Sequence, residues 1–182
     1  MFRQRAGIPR LFSGFRFANF DRTHNSAARD ACARFSVSWP PNPPLLVLTG
    51  GTGRGKTHLA TAIMYDAWTR HGVHGRFVAA ADLINRLRAA SSPNAEQSVD
   101  QVRQLYRQAP LLVLDDLGTE YSTNFTESEL FGILDHRYRE ALPSIITTNH
   151  PEDSMDERLA SRLRDKTQSR VAVMQGPDRR VS

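Results

Sequence analysis

The amino-acid sequence predicts an α/β fold with three layers, in which a five-stranded parallel sheet lies between two layers of helices. Short apolar runs of strand length alternate with segments of helical periodicity, which is the order typical of such a sheet. A glycine-rich segment separates the first apolar run from the next helical segment. No apolar run approaches the roughly 20 residues of a membrane span, so we expect no membrane partner.

The first part of the chain, residues 1–44, is predicted to be an arm followed by a short helix over 25–37 and a proline-rich lead. The arm alternates arginine with phenylalanine. Several aromatic residues in so short an arm favour packing on the core, although a binding role stays open. The aromatic residues are Phe12, Phe15, Phe17 and Phe20.

The second part, residues 45–182, is predicted to be the α/β core. Strands are expected over 45–49, 76–79, 111–114, 144–148 and 170–173. Helices are expected over 57–71, 82–88, 98–108, from 126 onward and over 155–165. Asp82 is the predicted N-cap of one helix, and Thr126 with Glu129 forms the predicted capping box of another.

Residues 50–57 read Gly-Gly-Thr-Gly-Arg-Gly-Lys-Thr and match the phosphate-loop motif GxxxxGK[ST] between a strand and a helix. Glycines allow a tight loop whose amide N–H groups face phosphate oxygens, and the following helix adds its positive end. The lysine carries a charge to the β- and γ-phosphates, and the threonine hydroxyl binds Mg²⁺. We therefore predict nucleoside-triphosphate binding by Gly50, Gly51, Thr52, Gly53, Arg54, Gly55, Lys56, Thr57 and His58.

Two further strands end in polar residues that would face the same crevice. Asp115 and Asp116 follow an apolar run, and there Asp115 would hold Mg²⁺ with Thr57 while Asp116 polarises the attacking water. Without the phosphate loop, two acidic residues after an apolar strand would be as typical of a turn or a helix cap as of a catalytic site. Asn149 follows the next strand and would orient water or contact the γ-phosphate, unless it only terminates the strand.

Arg158 and Arg162 are four residues apart and share one face of a predicted helix. A guanidinium there would stabilise charge on a transferring phosphoryl group. A solvated basic face, or pairing with the acidic side chains near this helix, is the competing interpretation. These acidic residues are Asp153, Asp156 and Asp165.

The net charge is +5, with 24 Lys and Arg residues of which only Lys56 and Lys166 are lysine. This excess permits a polyanionic partner, and ordinary surface charge explains it equally well. Cys32 is the single cysteine, which excludes an intramolecular disulfide and favours a reducing cytoplasm. We expect it to be buried.

These motifs together resemble those of AAA+ ATPases, and among them the bacterial replicative helicase loaders (DnaC/DnaI-like) and the related IstB transposition ATPases. The resemblance covers nearly the whole chain and rests on six segments beside the phosphate loop. They are Gly7-Ile8-Pro9-Arg10 with Phe17-Ala18-Asn19-Phe20-Asp21, Val78-Ala79-Ala80-Ala81-Asp82-Leu83, Asp115-Asp116-Leu117-Gly118, Thr147-Thr148-Asn149, Glu157-Arg158-Leu159-Ala160-Ser161-Arg162-Leu163, and Gly176-Pro177-Asp178-Arg179-Arg180. The last of these departs at two positions from a loader ending of the form G.SYR.

The resemblance implies ATP and Mg²⁺ as cofactors, slow hydrolysis, and a role in DNA replication with a DnaB-type helicase and single-stranded DNA. It implies that Asn149 is sensor 1 and that Arg162, supported by Arg158, is an arginine finger. Such a finger acts on the ATP of a neighbouring subunit, so self-association into a ring or spiral is implied. The family resemblance also places Ile8 and Pro9 against adenine. It assigns contact with single-stranded DNA to Arg86, Arg88 and Arg103.

Two departures from the loaders are expected. The chain starts at the ATPase core, without the region that grips the helicase, so it is a fragment or a short homologue. It also leaves no room for a full C-terminal lid.

Asp116 stands where Glu is more usual, so slow turnover is expected and a nucleotide-sensing adaptor stays open. A small-molecule P-loop kinase and a transposition helper stay open as well.

Overall fold

The fold is a parallel sheet covered by helices on both faces, seen in a computed structural model that describes residues 2–118, 124–149 and 157–179. The strands are β1 (Leu45–Thr49), β2 (Arg76–Ala79), β3 (Leu112–Leu117), β4 (Ser144–Thr148) and β5 (Ser169–Val173). Their order across the sheet is β2-β3-β4-β1-β5, and every neighbouring pair is parallel. The predicted fold class is therefore confirmed.

Seven helices lie in the described part of the chain, with two short 3₁₀ turns at Arg10–Phe12 and Phe17–Asn19. The helices are α1 (Phe2–Ala6), α2 (Ser26–Val37), α3 (Lys56–His71), α4 (Ala80–Ala90), α5 (Val99–Arg107), α6 (Asn124–Arg139) and α7 (Glu157–Arg164). Among these helices, none is long and apolar enough to cross a membrane. Asp153, Asp156 and Arg180, which belong to the sequence predictions, lie outside the described residues.

Two predicted helix caps are wrong. Asp82 lies in the first turn of α4, because β2 runs directly into that helix and Ala79 takes the cap position. Thr126 lies inside α6, where its buried hydroxyl accepts a hydrogen bond from Arg88 at 3.2 Å. A third difference concerns β3, which extends beyond the apolar run and includes Asp115 and Asp116.

Side chains of the sheet alternate between two apolar cores, as the pleat requires. In β1, Leu46 and Leu48 pack with α2, α3 and the arm, whereas Leu45 and Val47 pack with helices α4 to α7. Cys32 is fully buried in the first core, as expected, and burial raises the pKa of its thiol to about 12. One core lies on each face of the sheet, which makes the architecture three-layered.

The arm packs its aromatic side chains on the first core, which confirms the packing interpretation. The Phe2 ring stacks on Trp68 with centroids 4.5 Å apart, and Phe20 is only 5% exposed. Phe12 and Phe17 lie partly buried against the same core. The division of the chain at residue 44 stays a prediction.

Arg137 is fully buried in α6 and joins three elements. Its guanidinium donates to the carbonyl oxygens of Tyr106, Arg107, Ala109 and Pro143 and to the Ser144 hydroxyl, at 2.7–2.9 Å. Burial lowers the pKa of this guanidinium to about 9, so the group is still protonated at neutral pH. The contacts fix the start of β4 against the end of α5.

Candidate functional site

The phosphate loop, residues 50–55, lies between the carboxyl end of β1 and the first turn of α3. Gly55 caps this helix with a φ of +92°, and a Cβ there would lie 2.8 Å from the Phe20 ring. Only glycine meets both conditions without displacement of the arm. The positive N-terminal end of α3 therefore faces the loop, as anion binding requires.

Lys56 folds its side chain back into the loop and is only 6% exposed. Its ammonium donates to the carbonyl oxygens of Gly50 at 2.7 Å and Gly51 at 2.8 Å, and to Asn149 Oδ1 at 2.6 Å. A compact cation is thus positioned inside the glycine-rich loop. Phosphate oxygens of a bound nucleotide would replace some of these acceptors.

Asp115 and Thr57 lie together at the carboxyl end of β3. The Thr57 hydroxyl donates to Asp115 Oδ1 at 2.9 Å, and the Thr147 hydroxyl donates to the same oxygen at 2.6 Å. Burial raises the pKa of the Asp115 carboxyl, and these two hydrogen bonds oppose the shift. A hydroxyl and a carboxylate are the hard oxygen ligands that Mg²⁺ prefers, so this pair fits the predicted metal site.

Asp116 and Asn149 form a second pair beside the first. Asp116 has a φ of +59°, which few residues other than glycine adopt, and its amide donates to the Thr147 hydroxyl at 2.8 Å. Its carboxylate accepts from Asn149 Nδ2 at 2.7 Å. Because Asn149 Oδ1 also accepts from Lys56, one amide side chain joins the loop cation to the acid.

The remaining loop residues are placed differently. Thr52 is exposed. The Arg54 guanidinium donates to the Met174 carbonyl at 3.1 Å. The His58 imidazole stacks on Phe15 with centroids 4.3 Å apart, so the structure turns this side chain toward the arm. Burial lowers the pKa of His58.

Arg158 and Arg162 lie on one face of α7, as predicted, and that face packs on α6. Arg162 Nε lies 3.1 Å from Asp135 Oδ1, and its guanidinium lies over the Tyr138 ring. Arg158 lies over the Phe131 ring. The observed acidic partner of Arg162 is thus a residue that the sequence did not suggest, while Asp165 accepts a hydrogen bond from Tyr138 at 2.5 Å.

The three arginines implied to contact DNA have partners within the chain. Arg86 donates to the Tyr106 hydroxyl at 2.7 Å and Arg88 to the Thr126 hydroxyl at 3.2 Å. Arg103 forms an ion pair with Glu129 at 2.8 Å. These contacts join α4, α5 and α6, and DNA would have to compete with Glu129 for the Arg103 guanidinium.

Thr147 lies in the candidate site, although the sequence does not identify it individually. It belongs to a polar strand end, yet its hydroxyl contacts both Asp115 and the Asp116 amide. A threonine within a strand is usually interpreted as a β-branched residue that packs against its neighbours. The position of β4 between β1 and β3 is what gives it this role, and local sequence does not report that order.

Comparison with known proteins agrees with this geometry. A family model described as IstB-like ATP-binding protein matches residues 9–173. The chain is 29% identical over 163 residues to the chromosomal replication initiator protein DnaA of Jannaschia sp. (strain CCS1), covering 85% of this chain and 33% of that protein. It is 23% identical over 164 residues to the replicative helicase loader DnaC of Buchnera aphidicola subsp. Schizaphis graminum, covering 89% of this chain and 66% of that protein.

A solved structure of the DnaC helicase loader matches with a TM-score of 0.81 at 22% identity, covering 92% of this chain and 100% of that one. That match shows a shared AAA+ type of P-loop fold. The chain spans one third to two thirds of the length of the two curated relatives. The family model covers most of the sequence, and its ATP-binding description agrees with the loop, the acids and the amide found here. The chain therefore belongs to the IstB-like ATP-binding family of AAA+ proteins.

Proposed function

We propose that the chain binds ATP with Mg²⁺ and hydrolyses it slowly, in a form assembled from several subunits. One observation carries this proposal: Lys56, Asn149 and Asp116 form a continuous chain of hydrogen bonds inside the phosphate loop crevice. A nucleotide-binding loop alone needs only the lysine. The amide and the acid beside it are the groups that a hydrolytic water requires.

Each residue has a distinct chemical part in this proposal. Lys56 neutralises charge on the β- and γ-phosphates, while Asn149 holds the Asp116 carboxylate in position to polarise a water molecule. Thr57 and Asp115 would hold Mg²⁺, which would add charge neutralisation at the phosphate oxygens. Asp116 is one methylene shorter than glutamate, so its reach toward that water is smaller and slow turnover follows.

Arg162 is proposed to act on the ATP of a neighbouring subunit. Its side chain is 36% exposed and its described contacts lie on α6, not on the phosphate loop of the same chain. A guanidinium supplied by a second subunit would complete the electrostatic environment of the phosphoryl group. Association into a ring or spiral therefore belongs to the proposal.

The biological role that we propose is helicase loading in DNA replication, in the cytoplasm, with a DnaB-type replicative helicase and single-stranded DNA as partners. The similarity to proteins named replicative helicase loader DnaC supports this role. A transposition helper is the second candidate, because the matching family model carries the IstB name. A small-molecule kinase has less support, since no comparable observation favours it.

The catalytic proposal is tested by nucleotide binding and phosphate release. Lys56→Ala should abolish tight ATP binding, because the loop then lacks the cation that its carbonyl groups hold in place. Unchanged affinity would contradict the assignment of the phosphate loop. The two biological roles are separated by capture of purified replicative helicase or of a transposase on this protein, with and without ATP. Capture of the transposase alone would contradict the replication role.

The trans role of Arg162 is tested by mixing two inactive variants. Arg162→Ala keeps an intact phosphate loop, and Lys56→Ala keeps the arginine. A mixture should regain part of the assembly-dependent hydrolysis, because the second variant supplies Arg162 to the first. A mixture no more active than its components would contradict the proposal, as would equal loss of hydrolysis in an isolated Arg162→Ala monomer.

A further inference from the structure

The C-terminal strap, which we define as residues 174–179, crosses directly over the phosphate loop. The Met174 carbonyl oxygen lies 2.3 Å from the position that a Cβ at Gly50 would take. The Arg179 amide donates to the Gly53 carbonyl at 3.2 Å. The Arg54 guanidinium donates to the Met174 carbonyl at 3.1 Å. Both ends of the strap thus contact the phosphate loop, and its Met174 carbonyl accepts a hydrogen bond from Arg54 of the loop.

The arm, together with Asn25 at the start of α2, anchors this strap on its outer side. The Asn25 side chain exchanges two hydrogen bonds with the backbone of Gln175, at 2.7 and 3.0 Å. The Arg179 guanidinium lies 5.0 Å from the centre of the Phe20 ring and 3.6 Å from the Asp21 carboxylate. Because Phe20 itself contacts Gly55, the arm and the strap enclose the loop from two directions.

Asp178 is the residue of the strap that lies against the centre of the loop. Its Oδ1 atom lies only 1.6 Å from the position that a Cβ at Gly53 would occupy, and its Cγ atom lies 2.2 Å from it. The carboxylate therefore fills the space of the side chain that Gly53 lacks. An anionic group thus contacts the backbone that is proposed to bind phosphate.

We propose that the strap is an autoinhibitory contact in which Asp178 opposes the entry of a triphosphate, so that the position of the strap sets the affinity for ATP. This inference rests on the proposed ATP binding. A carboxylate against the loop repels the phosphate groups of an incoming nucleotide, and the Met174 carbonyl withholds Arg54 from them. Displacement of the strap removes the repulsion and releases that arginine.

The charge argument predicts a graded dependence on the nucleotide. Each phosphate group adds negative charge near Asp178, so the penalty is largest for ATP, smaller for ADP and absent for adenosine. At a partly exposed position, removal of the carboxylate charge should tighten ATP binding by on the order of tenfold. A strap that only braces the loop predicts the opposite sign, because loosening a brace weakens binding.

The test compares Asp178→Asn with Asp30→Asn, which changes net charge equally at a partly exposed position in α2 where the side chain pairs with Arg22 and Arg29. Dissociation constants of ATP, ADP and adenosine are measured by titration calorimetry, with melting temperatures to confirm folding. We expect Asp178→Asn to tighten ATP binding most, ADP binding less and adenosine binding not at all. Asp30→Asn should leave all three unchanged.

A second variant separates charge from attachment. Asn25→Ala removes the hydrogen bonds that anchor Gln175, so a folded variant should also bind ATP more tightly. Wild-type ATP affinity in Asp178→Asn, or weaker binding in either variant, would overturn the autoinhibitory role while the proposed function stands. An absence of ATP binding by wild-type protein and both variants would overturn the proposed function and this inference together.

Discussion

Asn149 offers the sharpest test of how the site works, because its one amide contacts both the cation and the acid. Asn149→Ala removes the hydrogen bond from Nδ2 to Asp116 at 2.7 Å and the acceptor for Lys56 at 2.6 Å. A hydrogen bond to a charged group contributes about 1.5–3 kcal/mol. If the bond to Asp116 matters only in the transition state, kcat should fall by about tenfold to 150-fold.

Asn149→Asp then distinguishes the two contacts. It keeps an oxygen acceptor for Lys56 but replaces the donor to Asp116 with a second carboxylate. Two carboxylates at this separation do not both ionise readily, so Asp116 would lose its function as a base. Phosphate release under saturating ATP and Mg²⁺ gives kcat, and nucleotide titration gives the dissociation constant.

We expect Asn149→Asp to be at least as slow as Asn149→Ala, with ATP affinity changed far less than kcat in both. If the aspartate variant keeps wild-type kcat, Asn149 acts through Lys56 alone, and the proposed positioning of Asp116 is refuted. A loss confined to ATP affinity would refute it equally.

Three further results are expected. Thr147→Val removes a hydrogen-bond donor to the Asp115 carboxylate, whose pKa is already raised by burial, so the variant should raise that pKa further. Because Mg²⁺ binds the deprotonated carboxylate, its binding weakens as pH falls through this pKa, and the acid limb of the pH–rate profile should move to higher pH. An unmoved limb would count against the metal assignment. Arg137→Met should lower the free energy of unfolding by about 3–5 kcal/mol in urea, because five hydrogen bonds of a buried cation are lost. Arg139→Met is the control, since the Arg139 side chain is 65% exposed in its ion pair, and it should cost under about 1 kcal/mol. Equal losses in the two variants would contradict this account. Single-stranded DNA binding should weaken steeply with added salt in a fluorescence anisotropy titration, and a flat dependence would remove the role proposed for basic groups.

The sequence predicts those parts of the molecule in which a local motif also lies at a recognisable place in the fold, such as the end of a strand. Lys56 and Thr57 follow from a motif of fixed spacing, and the Asp115–Asp116 pair follows from its place at the end of an apolar strand. Their approach in space needs one further fact, namely that strands of a parallel sheet present their carboxyl ends at one edge.

What sequence did not predict depends on contacts between distant segments. The role of Thr147 arises from the order β3-β4-β1, and the partner of Arg162 arises from the packing of α7 on α6. The burial of Arg137 has no local signal, since an arginine near the end of a helix usually favours solvent and the helix dipole. In the sequence, the strap is recognisable only as a segment similar to a loader ending. Its attachment could not be predicted, because the Asn25 side chain that binds the Gln175 backbone is 150 residues away.

The order of strands in the sheet also affects when the site can form during synthesis. The phosphate loop directly follows β1, whereas the strands that pair with β1 in the described sheet are β4 and β5, which lie far downstream in the sequence. The loop and its lysine are therefore synthesised before the strands that flank β1. Contacts of this range are slow to close, so a nascent chain should bind ATP only after β5 has been made.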